Sequence, residues 1–221
     1  IGTGRRIASV AMKLAASNEA DLSGPLQADY WVLQDRDGYA SELLRTLMPN
    51  NSAEVTARQI DLLGNAIRPC IACDICPTHI GPDEEYRCII KRREDGVAQI
   101  HDELLDADAI IPTLYSPVQR KGLQSTYQQF MERTRYLRRG DYVFTDRLAA
   151  PLIFAEIGSN DSLDVRVMTS MIRHHTVLTR PMVGWLHEGK LLNEDEIRAD
   201  LARVIRLGRK LVRRNEALRR C

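Results

Sequence analysis

The sequence predicts an α/β fold: a doubly wound parallel sheet with helices on both faces, preceded by an N-terminal helical extension. Three observations predict it. Short apolar runs alternate with segments of helical spacing along most of the 221 residues, the order expected of strand–crossover–strand units. The run 107–115, Ala-Asp-Ala-Ile-Ile-Pro-Thr-Leu-Tyr, has the apolar density of a strand buried on both faces. No stretch approaches the ~20 consecutive apolar residues of a membrane span.

The elements follow in order. Ile7, Val10, Ala11, Leu14 and Ala15 recur at helical spacing, so a helix is expected over 5–17, closed by the polar stretch through Gly24 and Pro25. Residues 29–34 read as a short strand. A helix over 39–48 follows, with Leu43, Leu44 and Leu47 inward and Pro49 ending it. Residues 53–63 supply a second strand, and a cysteine-rich loop then occupies 69–88. Val97, Ile100, Leu104 and Leu105 mark the next helix. After the strand at 107–115, Tyr127, Phe130, Met131 and Tyr136 give helical spacing across 124–138. Residues 148–157 read as one strand, 163–174 as a helix, 181–186 as a last strand, and a long helix closes the chain from about 193. Residues 1–27 thus form the extension and 28–221 a single domain with an insert at 69–88. In such folds ligands bind in loops at the carboxyl ends of strands, here the loops after Gln34, Tyr115 and Ile157.

The composition narrows the function classes. With 31 basic and 30 acidic residues the net charge is +1, so no global field draws the chain to nucleic acid or an anionic membrane. The eight basic residues of the closing helix, from Arg203 to Arg220, have no interleaved aromatics for base stacking and read as a solvated face. The first residues lack a secretory signal, so a cytoplasmic protein is expected. The absence of an initiator Met suggests that the chain is trimmed or processed.

Four of the five cysteines, Cys70, Cys73, Cys76 and Cys88, fall in the string PCIACDIC-PTHIGPDEEYR-C. Four thiolates at such spacing can converge on an iron–sulfur cluster or a tetrahedral zinc ion. They can also be ordinary buried, unmetallated thiols. The gap before Cys88 is eleven residues, and loop closure grows costlier only slowly with length. His79, within the gap, reads as a solvated loop residue.

The chain resembles the flavodoxin-like NAD(P)H-dependent FMN reductase family, in particular its iron–sulfur flavoprotein branch. Ser116-Pro117-Val118-Gln119 leads, without a gap, through residues 123–131 to Glu132-Arg133-Thr134, in the register of that family's S-P-V-Y and D-R-T segments. The preceding strand matches too, as does the string from Ile67 to Cys76 with its continuation after Cys88. The resemblance covers roughly residue 29 to the end and is strongest over 67–134.

The resemblance implies FMN as cofactor and NAD(P)H as electron donor. It implies a quinone, small oxidant or redox protein as acceptor, with a 4Fe-4S cluster on the four cysteines as one option. Homodimers or homotetramers are expected on the same ground, with neither nucleic acid nor membrane as partner. The family holds the FMN phosphate in the loop after the first strand, here Gln34-Asp35-Arg36-Asp37-Gly38-Tyr39-Ala40-Ser41. Arg36, Gly38 and Ser41 fit the register. Asp35 and Asp37 do not, since two anions beside a phosphate oppose its binding unless Arg36 or other cations compensate. A rival phosphate loop is Gly2-Thr3-Gly4-Arg5-Arg6-Ile7-Ala8-Ser9, which is glycine-rich, cationic and hydroxyl-bearing. Ser116, Pro117, Val118 and Gln119 would lie along the flavin ring, with Gln119 replacing the family's aromatic and Tyr115 nearby. Gly158 and Ser159, in Glu-Ile-Gly-Ser-Asn-Asp, are candidates for the ring or phosphate edge. His174 and His175 read as a surface pair at a helix C-terminus.

A second reading belongs to a different class. In it the chain is a flavodoxin-like sensing or binding module without tight flavin, whose cysteine loop takes zinc or responds to oxidants.

Overall fold

In the computed structural model, the described residues are 24–64, 66–76, 87–90, 95–139, 142–159 and 162–219. The expected helix at 5–17 and the rival loop from Gly2 to Ser9 lie outside them.

The sheet begins earlier than the sequence suggests. Strand β1 runs Leu26–Asp35, so Leu26 and Gln27, placed in the extension above, belong to the domain's first strand. Its residues alternate between two cores. Trp31 and Leu33 face one side, and Tyr30 and Val32 face the other, as the two-residue period of a strand requires. Helix α1 (Tyr39–Leu47) returns to β2 (Val55–Asp61). Two short helices, α2 (Gly96–Gln99) and α3 (His101–Asp106), lead to β3 (Ala109–Ser116), which is buried along its whole length. Then come β4 (Gln124–Ser125), α4 (Tyr127–Arg133), α5 (Arg135–Arg139), β5 (Leu148–Ala149) and β6 (Leu152–Glu156). Helix α6 (Leu163–Ile172), β7 (Val177–Leu178), β8 (Met182–His187), β9 (Lys190–Leu191) and α7 (Glu194–Arg219) complete the chain.

The main path through the sheet is β2-β1-β3-β6-β8-β9. Its first five members are parallel neighbours, which is the doubly wound order 2-1-3-4-5 with a switch point between β1 and β3. Apolar side chains of α2 to α6 cover one face around Trp31, Phe130 and Phe144. Those of α1 and α7 cover the other, around Leu44, Phe154 and Leu201. Among the described α7 side chains, Arg209 meets Glu54 at 2.6 Å and Arg198 meets Glu194 at 2.7 Å.

Three expectations need correction. Gln124 and Ser125 are not the start of a helix: they pair antiparallel with Gln34 and Asp35, so the helix begins only at Tyr127. It then breaks at Thr134, whose buried hydroxyl donates to the Met131 carbonyl at 3.2 Å. The single strand expected over 148–157 is two strands parted at Pro151, a residue with no N–H to give a ladder. His174 is not at the surface. It is 3% exposed, with Nε2 3.3 Å from the Thr134 hydroxyl and its ring against Phe144, while His175 stacks on Tyr142 at 3.7 Å.

Two predictions arise here. A Cβ on Gly184, in β8, would stand 2.9 Å from Leu191 Cδ1 and 3.0 Å from the Phe154 ring. Gly184→Ala is therefore expected to cost about 1–3 kcal/mol, read as a lower denaturation midpoint at unchanged slope. Burial pushes the His174 pKa down to about 3 from 6.5, with Arg138, His175 and Arg173 adding to the effect. Its folded pKa lies below its unfolded value, so the stability present above about pH 6.5 is lost as the pH falls toward 3, by at most ~1.4 kcal/mol per pH unit. Urea midpoints measured between pH 7 and 5 should fall less steeply in His174→Leu than in the parent.

Candidate functional site

The carboxyl ends of β1, β3, β6 and β8 open into a cleft of about 480 Å³. Its apolar walls are Tyr39, Tyr115, Val118, Ile157 and Leu186. Its ionisable rim is Arg36, Asp37, Glu156, His187 and Glu188. Local sequence explains this shape. Gly38, at φ 78°, turns the chain into α1, a left-handed conformation that glycine tolerates best. Glu188 and Gly189, at φ 47° and 75°, make the tight turn between β8 and β9, which requires positive φ at both central positions.

The β1 loop is arranged around a carboxylate. Asp35 is 1% exposed, and its Oδ1 accepts from the backbone N–H of Arg36 and of Ala40, each at 2.7 Å. Its Oδ2 accepts from the Ser41 N–H at 3.1 Å and from Ser41 Oγ at 2.9 Å. The Tyr39 N–H donates to the Arg36 carbonyl and that of Glu42 to the Gly38 carbonyl, both at 2.9 Å. Of the first-turn amides of α1, with which a helix N-terminus usually holds an anion, those of Ala40 and Ser41 are taken by the Asp35 carboxylate and those of Tyr39 and Glu42 by backbone carbonyls.

The β3 loop is stapled in the same manner. Glu156 accepts from the Tyr115 hydroxyl and from the Val118 N–H at 2.8 Å. Burial pushes the Glu156 carboxyl up, but the Tyr115 hydroxyl, the Val118 amide and Arg36 together hold it below the ordinary range. Burial and the Glu156 carboxylate push the Tyr115 phenol up, so it remains a donor at neutral pH. Arg36 donates to the Gln119 carbonyl and lies over the Tyr115 ring, 5.6 Å from its centre. Tyr39 meets that ring edge to face at 5.6 Å.

The residues singled out by sequence therefore divide. Arg36 and Val118 line the cleft, and Gln119 borders it through its carbonyl. Ser41 is buried against Asp35. Ser116 and Pro117 are buried at the end of β3, while Gly158, at φ 93°, and Ser159 form the turn after β6 without lining the cleft. Sequence reasoning missed Glu156 and the β8–β9 turn. A charged residue ending a buried apolar strand was the available signal for the former.

FMN can be tested against this geometry in two parts. The ring fits, because the cleft is large enough and its walls are aromatic and aliphatic. The phosphate does not fit. Its donors are occupied by Asp35, and two unit charges 4 Å apart repel by about 4 kcal/mol at an effective dielectric of 20.

The four cysteines do share one place. Cys70, Cys73, Cys76 and Cys88 all line a small cavity with Arg133, Tyr136 and Arg139. Left-handed conformations at Ala72 (φ 49°) and Asp74 (φ 58°) curl the loop between the thiols, as in backbone nests that receive anions and clusters. Arg133, 2% exposed, donates to Cys88 Sγ at 3.1 Å and to Asp95 Oδ1 at 2.7 Å. Burial raises the Cys76 thiol pKa, and the other three cysteines raise it further. The space between the side chains is about 10 Å³, roughly one water. Among the described residues, no three His, Cys, Asp or Glu side chains stand close enough as they lie to hold a metal ion. No described helix is long and apolar enough to cross a membrane.

No family model matches the chain, and no curated protein matches its sequence. Among solved structures it is similar to a WrbA-like flavodoxin from Agrobacterium tumefaciens, with a TM-score of 0.51 at 13% identity over 85% of this chain and 99% of that one. The azoreductase AzrA aligns with a TM-score of 0.41 at 13% identity over 83% of this chain and 99% of that one. The first likeness, together with the strand order 2-1-3-4-5, shows a flavodoxin-like α/β fold.

Proposed function

We propose that the protein is a flavin-using oxidoreductase that takes reducing equivalents from NAD(P)H and passes electrons to a quinone, another small oxidant or a redox protein. The observation that carries this reading is the 480 Å³ cleft at the β1/β3 switch point, walled by Tyr39, Tyr115, Val118, Ile157 and Leu186 and sized for a planar tricyclic ring. The match of Ser116-Pro117-Val118 and Glu132-Arg133-Thr134 to a family of flavin reductases supports it from the sequence. A flavin bound there supplies hydride and single-electron chemistry. The chain's residues orient the ring and limit water: Glu156 fixes Tyr115 and the β3 loop, and Arg36 ties the β1 loop to Gln119. No side chain need act as acid or base. Self-association as a homodimer or homotetramer belongs to the same proposal, since Val118 and Ile157 at the rim are each 53% exposed and gain from cover. The test is NAD(P)H oxidation with a quinone acceptor and added flavin. A rate above that of free flavin is expected, and a rate equal to it, with no flavin bound, would leave only the sensing or binding module.

The cysteine quartet supports a second reading for its own loop, that of redox-active thiols: the four share one small cavity with Arg133 and Arg139 nearby, while no three of the described metal-ligating side chains are placed to hold an ion. A mild oxidant should then lower the number of titratable thiols in the parent, and a Cys73→Ser variant that responds to oxidant as the parent does would count against this reading. Iron and acid-labile sulfide near four per chain in anaerobically purified protein would overturn it and restore the iron–sulfur cluster.

A further inference from the structure

We infer that the cleft selects a flavin without a phosphate, riboflavin over FMN, and that Asp35 sets this choice. The inference rests on the flavin reading above and goes beyond it to the identity of the flavin. Two features carry it.

The first is an accounting of donors. A terminal phosphate seated at α1 needs the N–H groups of Arg36, Ala40 and Ser41 and the Ser41 hydroxyl. All four donate to the Asp35 carboxylate, at 2.7 to 3.1 Å, and the Tyr39 and Glu42 amides close the turn on backbone carbonyls. A carboxylate on a short stem occupies the seat as a built-in anion. A phosphate could enter only by expelling Asp35, leaving a buried charge without its partners.

The second is charge. Facing the cleft, the carboxylates of Asp37, Glu156 and Glu188 outnumber the single guanidinium of Arg36. That guanidinium already serves the Gln119 carbonyl. A dianion finds no surplus of positive potential here, whereas an uncharged ring with a hydroxylated chain meets no penalty.

The apolar walls, Tyr39, Tyr115, Val118, Ile157 and Leu186, suit the ring that both flavins share, so the choice between them falls on the phosphate end alone.

The experiment uses the full chain, freed of bound flavin and titrated with riboflavin and with FMN while flavin fluorescence is followed. The parent is expected to bind riboflavin at least about tenfold more tightly than FMN, and Asp35→Ser to strengthen FMN binding about tenfold or more while leaving riboflavin within about threefold. FMN binding as tightly as riboflavin in the parent would overturn the inference and leave the flavin reading standing. So would an unchanged ratio in folded Asp35→Ser. If neither flavin binds the parent, both fail. Should Asp35→Ser not fold, the ratio in the unaltered parent decides.

Discussion

Replacing Arg133 with leucine is expected to remove about 3–5 kcal/mol of folding stability, the cost of stranding a buried charge. Its partner Asp95 is fully buried. Besides the 2.7 Å ion pair, Asp95 accepts from the Ala98 N–H at 3.0 Å as the cap of α2 and from the Arg68 N–H at 3.1 Å. Arg133 also donates to Cys88 Sγ. Arg133 therefore ties α4 directly to the end of the cysteine segment at Cys88 and, through Asp95, to Arg68 before its start. Lysine should not rescue the site, since a single ammonium cannot copy the planar fork. Denaturation midpoints measure the loss, and Cys88, deprived of the guanidinium that favours its thiolate, should react more slowly with a thiol reagent in folded Arg133→Leu. A loss under about 1 kcal/mol, the range of exposed pairs, would show that the pair is not buried as described.

Trp31→Ala should cost a similar amount, about 3–5 kcal/mol. Trp31 is 1% exposed and packs edge-on against Phe130 with ring centres 5.3 Å apart and tilted against Phe144 at 5.8 Å. These contacts clamp α4 and the segment after α5 to the middle of the sheet. Trp31→Phe is milder, because the indole N–H has no partner and its loss offsets part of the lost volume. Midpoints ordered parent, phenylalanine, alanine are expected. An alanine variant as stable as the parent would contradict the placement of Trp31 in the core.

Much of this fold was legible in the sequence because burial writes itself into apolar runs. The stretch 107–115 announced β3, and Leu43, Leu44 and Leu47 announced α1. What the runs could not show were pairings made by polar residues. Gln124 and Ser125 carry no strand pattern and pair with β1 only because the loop brings them to its end. The two histidines look alike in sequence, yet the fold buries His174 behind Thr134 and leaves His175 stacked on Tyr142. At the site, the departures from the flavin reductase pattern were readable at Asp35 and Asp37. Their consequence was not. Only the geometry separates Asp35, turned inward onto the amides of α1, from the exposed Asp37. Glu156 went unnamed because its hydroxyl and amide partners lie 41 and 38 residues away along the chain.

The most direct measurement compares riboflavin binding to the parent and to Val118→Trp. Val118 is 53% exposed at the cleft, so an indole there fills the space without disturbing the core. An affinity lowered by about tenfold or more, at an unchanged denaturation midpoint, is the result predicted for a ring seated between Tyr115, Val118 and Ile157. Equal affinity in the two proteins would place the ring elsewhere and contradict the assignment of the cleft.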